Sequence, residues 1–289
     1  RMCGSSQQAI HFAAQAILAG DMHLVVAGGT EIMSHQPIGA DYPAEWPKDF
    51  PYKLVHQGIS AELMAEKWGL KRDELDEFAY QSHMRAGQAI QKGYFEGQIL
   101  PLDLPDGSRF TTDQGVRMPP DRGKMAALKP AFKEDGVVTA ANSSQISDGS
   151  AAVLLASPEA VGRYNLSPLA RILARTVVGS DPVLMLDAPI PATEMVLRMA
   201  GLTLADMDVI EINEAFASVV LAWEKELKPD KAHVNPNGGA IAHGHPVGAT
   251  GAILMTKLVY ELQRRKAKYG LQTMCIGHGM ATATIIERI

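Results

Sequence analysis

Near each end of the chain, a helical pattern is followed by a short apolar segment and then by glycines. The first copy starts at Cys3 and reaches Gly28 and Gly29 after an apolar run at residues 24–27, and the second starts after His245. A chain that alternates helices and strands in this way is expected to form an α/β fold. We expect the run at 24–27 to be a buried strand that ends in a tight turn at the glycines.

Length and composition narrow the possible functions. A chain of 289 residues suggests about two domains. Hydrophobic residues make up 46% of the chain and charged residues 20%, which is typical of a folded soluble protein. The net charge of −5 comes without any block of like charges, so nucleic acid is not an expected partner. We also expect no membrane span, because no apolar run reaches the roughly 18 residues that a span requires.

The two cysteines, Cys3 and Cys275, are too few and too far apart in sequence to form a secreted disulfide framework. We therefore expect the protein to lie in a reducing compartment, and the cytoplasm is the leading expectation. The chain opens on Arg1 in what reads as the middle of an element. We expect further sequence upstream, where any organellar targeting signal would lie.

The middle of the chain alternates helical and irregular patterns. Apolar spacing predicts helices at 60–68 and 72–92, while residues 37–58 and 101–132 read as loops. Loops of this length often cover a binding site. Further strands are predicted at residues 151–156, 208–212, 273–276 and 282–287.

Both cysteines occupy positions that suit chemistry. Cys3 lies at the predicted N-terminus of a helix, where unpaired N–H groups favour a thiolate and can donate to an oxyanion. Cys275 ends an apolar strand pattern and is followed by Gly277, at which a ligand can approach the backbone closely. From position alone, an inert buried thiol is the more frequent state of such a cysteine.

The segment GGAIAHGHPVGATG, residues 238–251, holds more glycine than a structural turn needs. A phosphate-binding loop is not indicated, because no Gly-Lys-Ser/Thr ends the run. Within it, His245 can serve as the base for a thiol. Asn213, between a strand pattern and a helical pattern, is either an N-cap or a neutral donor to an enolate or alkoxide. Together with the cysteines, these residues suggest acyl transfer.

A zinc site, and with it a zinc hydrolase, is the alternative interpretation of the same region. By ligand type, four residues could form it, namely His243, His245, Cys275 and His278. Their H-x-H and C-x-x-H spacings are loose for a zinc site, so acyl transfer is the favoured interpretation.

Four segments, taken together, resemble the signature blocks of the thiolases, the family of acetyl-CoA acetyltransferases and 3-ketoacyl-CoA thiolases. In family order they are CGSSQQA at 3–9, INEAFA at 212–217, GGAIAHGHPVGATG at 238–251 and CIGHG at 275–279. Two more blocks, ANSSQISDG at 141–149 and SDPVLMLDAPIPA at 180–192, extend the resemblance to essentially the whole chain.

The resemblance implies a layered α/β/α/β/α architecture with an inserted loop domain and an incomplete first domain. Residues 1–33 and 144–167 would form the remnant of the N-terminal domain, 34–143 the loop domain and 168–289 the C-terminal domain. It further implies a homodimer or a homotetramer.

The resemblance also implies roles for single residues. Cys3 would carry the acyl group, His245 would take the Cys3 proton, and Cys275 would move the proton at the α-carbon of the other thioester. One oxyanion would be held by His245 and a water on Asn213, the other by the backbone N–H groups of Cys3 and Gly277. Two thiols are needed because acyl transfer requires a nucleophile, while Claisen chemistry requires a base beside the α-carbon.

Substrate contacts follow from the same resemblance. Ser144 and Arg117 match positions that contact coenzyme A, and His56, Met185 and Phe216 match the lining near the acyl group. The implied reaction is cleavage of a 3-ketoacyl-CoA by coenzyme A, or the reverse condensation, with coenzyme A as co-substrate, no covalently bound cofactor and no metal. Fatty acid degradation by β-oxidation is the expected setting.

Three features depart from the family pattern. The chain begins two residues before Cys3, where the family has a βα-rich stretch. This leaves a non-catalytic CoA-ester or lipid-binding protein of thiolase fold as the alternative function. His278 stands where many members have glycine, and would either shift the titration of Cys275 or narrow the pocket. His243 stands where an aliphatic residue is usual.

Overall fold

The computed structural model describes residues 1–40, 42–43 and 45–289. Its strands are β1 (Leu24–Ile32), β2 (Leu102–Asp103), β3 (Arg109–Phe110), β4 (Asp148–Ala156), β5 (Ala170–Gly179), β6 (Val209–Ile212), β7 (Tyr269–Ile276) and β8 (Met280–Arg288). Its α-helices are α1 (Ser5–Ala19), α2 (Gln57–Lys67), α3 (Arg72–Gln91), α4 (Arg122–Ala127), α5 (Pro158–Tyr164), α6 (Pro189–Ala200), α7 (Ala217–Leu227), α8 (Ala240–His243) and α9 (Thr250–Arg265).

The main sheet has four strands in the order β5-β8-β7-β6. β6 runs parallel to β7, and the other neighbours are antiparallel. β6 is buried along its whole length, as are β7 and β8 over most of theirs, because helices cover both faces of the sheet. β7 therefore ends at Ile276 in the interior of the protein.

Two buried apolar clusters, one on each face of the main sheet, hold the layers of helices and strands together. On one face of the main sheet, α6 and α7 bury Val196 and Trp223 against Ile210 and Leu271. On the other face, α1 and α9 lie between the main sheet and the two-stranded sheet of β1 and β4. The mixed α/β fold expected from the sequence is confirmed. Among the described residues, no helix is both long and apolar enough to span a membrane.

β1 is longer than the sequence suggested, and the expected tight turn at Gly28 and Gly29 is wrong. The strand runs through both glycines to Ile32 and pairs with β4 along its whole length. A β carbon on Gly28 would lie 2.6 Å from the carbonyl oxygen of Ala151, and one on Gly29 would overlap the carbonyl oxygen of Gly248. The two glycines therefore permit close packing inside a strand.

The region between β1 and β4 carries α2, α3 and α4. The helices predicted at 60–68 and 72–92 are confirmed as α2 and α3, with small shifts at their ends. The predicted loop at 101–132 contains the short hairpin of β2 and β3 and the helix α4. In the predicted loop at 37–58, Asp41 and Ala44 lie outside the described residues. α2 and α3 pack against α7, and α3 also packs against α8.

The contact between β1 and the Gly248 loop generates a stability prediction. Gly29→Ala should lower the free energy of unfolding by about 1–3 kcal/mol, because its methyl group must displace the backbone of Gly248. The control is Gly162→Ala in α5, where the added carbon meets open space and should raise stability by up to about 1 kcal/mol. Urea unfolding measures both. Equal effects of the two substitutions would contradict the packing role of Gly29.

Candidate active site

Cys3 lies in a 3₁₀ turn, Met2–Gly4, that leads into α1. The turn packs closely on the end of β7. A β carbon on Gly4 would overlap the side chain of Ile276, and one on Gly277 would lie 3.2 Å from the Met2 sulfur. The Gly277 backbone N–H is within hydrogen-bonding reach of the Cys3 sulfur. Burial nevertheless raises the pKa of Cys3 to about 11, and this backbone donor lowers it only in part.

Cys275 is the second thiol of the site. It is buried one residue before the end of β7. Burial raises its pKa well above the usual value, and repulsion from a charged Cys3 raises it further. The two sulfurs therefore lie close enough to interact. Both cysteines are free thiols, and both are protonated at neutral pH.

His245 lies between two polar partners. Its Nδ1 is 2.6 Å from Thr250 Oγ1, whose own proton goes to the Pro246 carbonyl at 2.8 Å. Nδ1 therefore carries the imidazole proton and donates it to Thr250. The free Nε2 then accepts from Asn213 Nδ2 at 3.3 Å. Burial lowers the pKa of His245 to about 4, so the ring is neutral at physiological pH.

The loop that carries His245 is bonded to the first turn of α1. The Ser6 backbone N–H donates to the Gly248 carbonyl at 3.2 Å, and the Ala252 N–H donates to Ser6 Oγ at 2.9 Å. These bonds join the helix that begins after Cys3 to the segment that follows His245. The glycine-rich segment and the N-terminal cysteine therefore belong to one site.

Asn213 leaves β6 with its backbone N–H bonded to the Thr273 carbonyl of β7 at 3.1 Å. Its amide reaches His245, as described above. The amide oxygen, Oδ1, is fully buried and has no hydrogen-bond partner among the described residues. A buried acceptor without a partner is rare in native proteins and is typical of a site that receives a ligand or water.

Two of the three residues predicted to line the acyl group lie in the buried cluster of Cys275, and the third, exposed His56, reaches that cluster through Phe132. Met185 and Phe216 belong to the same buried cluster as Cys275. His56 stacks on Phe132 at 5.3 Å between ring centroids, and Phe132 meets Phe216 edge-on at 5.9 Å. The arrangement gives Cys275 an apolar, largely aromatic wall.

The two residues predicted to bind coenzyme A lie in different surroundings. Ser144 is partly buried, and its backbone N–H donates to the Ala215 carbonyl at 2.9 Å, next to Phe216. Arg117 is exposed, and its backbone N–H donates to His83 Nδ1 of α3 at 3.1 Å. Ser144 therefore lies beside the candidate site, and Arg117 lies on the helical region that packs against it.

The residues of the alternative zinc site do not come together. Both ring nitrogens of His243 are hydrogen-bonded elsewhere. Nδ1 lies 2.9 Å from Asp113 Oδ2, and Nε2 lies 3.0 Å from the Asn237 carbonyl oxygen. His278 packs against the rings of Tyr42 and Trp46 instead. Within the described ranges, no group of three His, Cys, Asp or Glu side chains has the geometry of a metal site.

Comparison with known proteins identifies the fold. The family model "Thiolase, N-terminal domain" matches residues 1–159, and "Thiolase, C-terminal domain" matches residues 166–288. The chain belongs to the thiolase family. It is 50% identical to the steroid 3-ketoacyl-CoA thiolase FadA6 of Mycobacterium tuberculosis, an alignment that covers 100% of this chain and 74% of the relative. It is 44% identical to a beta-ketoadipyl-CoA thiolase of Acinetobacter baylyi, of which it covers 78%.

Solved structures agree with the sequence relatives. The fold superposes on human mitochondrial 3-ketoacyl-CoA thiolase with a TM-score of 0.91 at 38% identity, covering 100% of this chain and 77% of that one. The same human enzyme has been solved in complex with CoA, with the same TM-score. This thiolase is therefore an acyltransferase, and the relatives give no support to the non-catalytic alternative.

Sequence reasoning missed two residues that hold the His245 loop. Thr250 fixes the tautomer of His245. Nothing in the sequence indicates this role, because Thr250 reads only as the first residue of a helix. The side-chain amide of Gln145 donates from Nε2 to the backbone carbonyls of Ile241 and Ala242, both at 2.9 Å. The backbone carbonyl of Gln145 accepts the His245 backbone N–H at 3.0 Å. Gln145 lies in the block ANSSQISDG, but no spacing within the sequence connects it to residue 245.

The neutral state of the site generates a pH prediction. Because the pKa of Cys3 is raised to about 11, alkylation of Cys3 by iodoacetamide should accelerate up to about tenfold per pH unit above pH ~7. Mass spectrometry of the Cys3 peptide after timed quenching measures this rate. A plateau below about pH 8 would instead indicate a thiolate that is already formed in the resting enzyme.

Proposed function

We propose that this thiolase forms an acyl-enzyme on Cys3 and uses Cys275 for proton transfer at the α-carbon. The observation that carries the proposal is the meeting of the Cys3 turn with the Cys275 end of β7, while His245 occupies the adjoining loop. Two neighbouring thiols, with a neutral base on the adjoining loop, would suit a reaction with one nucleophilic and one proton-transfer step.

In the direction of cleavage, Cys3 Sγ bonds to the 3-keto carbon of the substrate while His245 Nε2 takes the thiol proton. The bond between C2 and C3 then breaks, and the electron pair goes to the enolate of the departing thioester. Cys275 donates its proton to that α-carbon. The resulting Cys275 thiolate takes the proton of coenzyme A, whose sulfur attacks the acyl-Cys3 thioester. Cys3 leaves as a thiolate and regains its proton from His245 Nε2, which returns to the neutral state.

Hydrogen-bond donors would stabilise the two oxyanions. Once His245 has taken the proton, its Nε2–H becomes a donor to the enolate oxygen, together with a water held by Asn213. The backbone N–H groups of Cys3 and Gly277 would hold the oxyanion that forms at the acyl-enzyme. Preorganised donors of this kind contribute about 2.7–4 kcal/mol each in comparable enzymes.

We propose a 3-ketoacyl-CoA as substrate and coenzyme A as co-substrate, in degradative thiolysis of the β-oxidation type. The names of the relatives support this class, since they include a steroid 3-ketoacyl-CoA thiolase and several 3-ketoacyl-CoA thiolases. The apolar wall that Met185 and Phe216 form with Cys275 would face the acyl group, with His56 at its edge on Phe132. Ser144 and Arg117 would contact coenzyme A.

We also propose a homo-oligomer, either a dimer or a tetramer, in the cytoplasm. Outward-facing Val26 on β1 and Leu154 on β4 are largely exposed, which supports an association surface on this sheet. The two unpaired thiols are consistent with a reducing compartment. Within the chain, we propose a loop domain at 34–143 between the first-domain segments 1–33 and 144–167, followed by a C-terminal domain at 168–289.

Separating the two half-reactions tests the assignment of the thiols. On incubation with acetyl-CoA, the protein should gain one acetyl group on Cys3, and Cys3→Ala should gain none. Cys275→Ala should still acetylate Cys3 but should fail to exchange the α-protons of acetyl-CoA in D₂O, because it lacks the base. Intact-protein mass spectrometry and NMR provide these readouts. Binding of acetyl-CoA without acetylation of Cys3 would favour a CoA-ester carrier.

Asn213 provides a second test. Asn213→Ala removes the donor to His245 and the buried Oδ1, so thiolysis should slow by about 100- to 1,000-fold. The control is Asn165→Gly, because Asn165 is an exposed helix cap in a left-handed conformation that glycine adopts readily. Steady-state cleavage of acetoacetyl-CoA measures both. If Asn213→Ala retains the activity of the control, Asn213 does not support an oxyanion.

A further inference from the structure

The carboxylate of Glu214 follows Asn213 directly and is completely buried. Oε2 accepts the hydroxyl proton of Ser82 at 2.6 Å and the backbone N–H of Ile241 at 3.3 Å. Oε1 accepts from Asn235 Nδ2 at 3.0 Å. Three donors from three separate parts of the chain thus converge on one carboxylate. None of the proposed catalytic steps involves this carboxylate.

The same carboxylate fixes the beginning of the His245 loop. The backbone N–H of Gly239 donates to Ser82 Oγ at 3.1 Å, and the Ser82 proton passes on to Glu214. A β carbon on Gly239 would overlap the Glu214 carboxyl group. Glu214 therefore holds the loop at two points. It reaches Gly239 through the Ser82 hydroxyl and binds the Ile241 N–H directly.

Glu214 and Asn213 are adjacent in the chain but act on opposite parts of the loop. Asn213 contacts the imidazole of His245, while Glu214 holds the first turn of α8, which ends two residues before His245. One short segment after β6 thus sets both the backbone of the loop and the direction of its base. A shift of one contact would move His245 Nε2 relative to the Asn213 amide.

We propose that Glu214 is a positioning residue of the thiolase reaction, which holds the loop so that His245 Nε2 faces its reaction partner. The inference rests on the proposed role of His245 as the base. A carboxylate is required because it accepts hydrogen bonds only. In Glu214→Gln, an amide NH₂ group must face at least one of the three converging donors.

Glu214→Gln is the test, and Glu224→Gln is its matched control. Glu224, near the C-terminal end of α7, is also a buried carboxylate, but it pairs with Lys231 in the turn that follows the helix. We expect Glu214→Gln to lower kcat for thiolysis by about 10- to 100-fold, with KM for coenzyme A changed by less than about threefold, because misplacement of a catalytic group acts on the chemical step. Glu224→Gln should keep the kcat of the unmodified enzyme.

A role confined to stability would give a different result. Glu214→Gln would then have a lower unfolding temperature but a normal kcat per folded molecule, and this outcome would overturn the proposal. The rate of Cys3 acetylation by acetyl-CoA, measured in a single turnover, is the second readout. It should fall together with kcat in Glu214→Gln, because His245 acts in that step.

Ser82→Ala keeps the test decisive if Glu214→Gln does not fold. It removes one donor and the bond to Gly239, so it should lower kcat in the same direction by a smaller factor. The hydrogen bond between residues 82 and 214 is disturbed by each single variant but is lost only once in the double variant. The combined loss should therefore be smaller than the product of the two single losses. Independent, multiplicative losses would count against a shared role in holding the loop.

Failure of the inference is distinguishable from failure of the proposed function. If the unmodified enzyme is not acetylated on Cys3 by acetyl-CoA, the assignment of the nucleophile is wrong. If the unmodified enzyme is acetylated normally and Glu214→Gln is acetylated at the same rate, only the positioning role of Glu214 is wrong.

Discussion

The candidate site depends on the close approach of the Cys3 turn to the end of β7. Two thiols from opposite ends of the chain lie there, and the missing side chains of Gly4 and Gly277 leave room for those of Ile276 and Met2 between the two segments. The Gly277 N–H can then reach the Cys3 sulfur. A β carbon at Gly4 would require the Ile276 side chain to move, and one at Gly277 would press on the Met2 side chain.

This close approach also determines the electrostatics. Burial raises the pKa of both thiols and lowers that of His245, so the resting site holds three titratable groups without a charge. In the proposed reaction, charges arise only transiently, on the oxyanions, on protonated His245 and on the Cys275 thiolate, among buried groups with fixed donors. Electrostatic interactions are strongest under these conditions, and no reorganisation of solvent is required.

The sequence predicted those parts of the molecule that depend on local patterns. The helical spacing at 72–92 and the apolar strands near the C-terminus could be found because their period is visible within one element. Gly28 and Gly29 were misinterpreted because the reason for Gly29 is a contact with Gly248, more than 200 residues away, and the reason for Gly28 is a contact with Ala151. Glu214 was missed for the same reason, since its three partners are separated along the chain.

His278 shows how the fold tolerates a residue that local rules disfavour. Its φ of 65° lies in the left-handed region, where a side chain costs of order 1 kcal/mol or more relative to glycine. The strain is held by the surrounding structure, because the ring packs against Tyr42 at 5.1 Å and Trp46 at 5.9 Å. Contacts from the long loop thus restrain the turn that carries the Gly277 N–H. The geometry of this donor depends on that loop as well as on the main sheet.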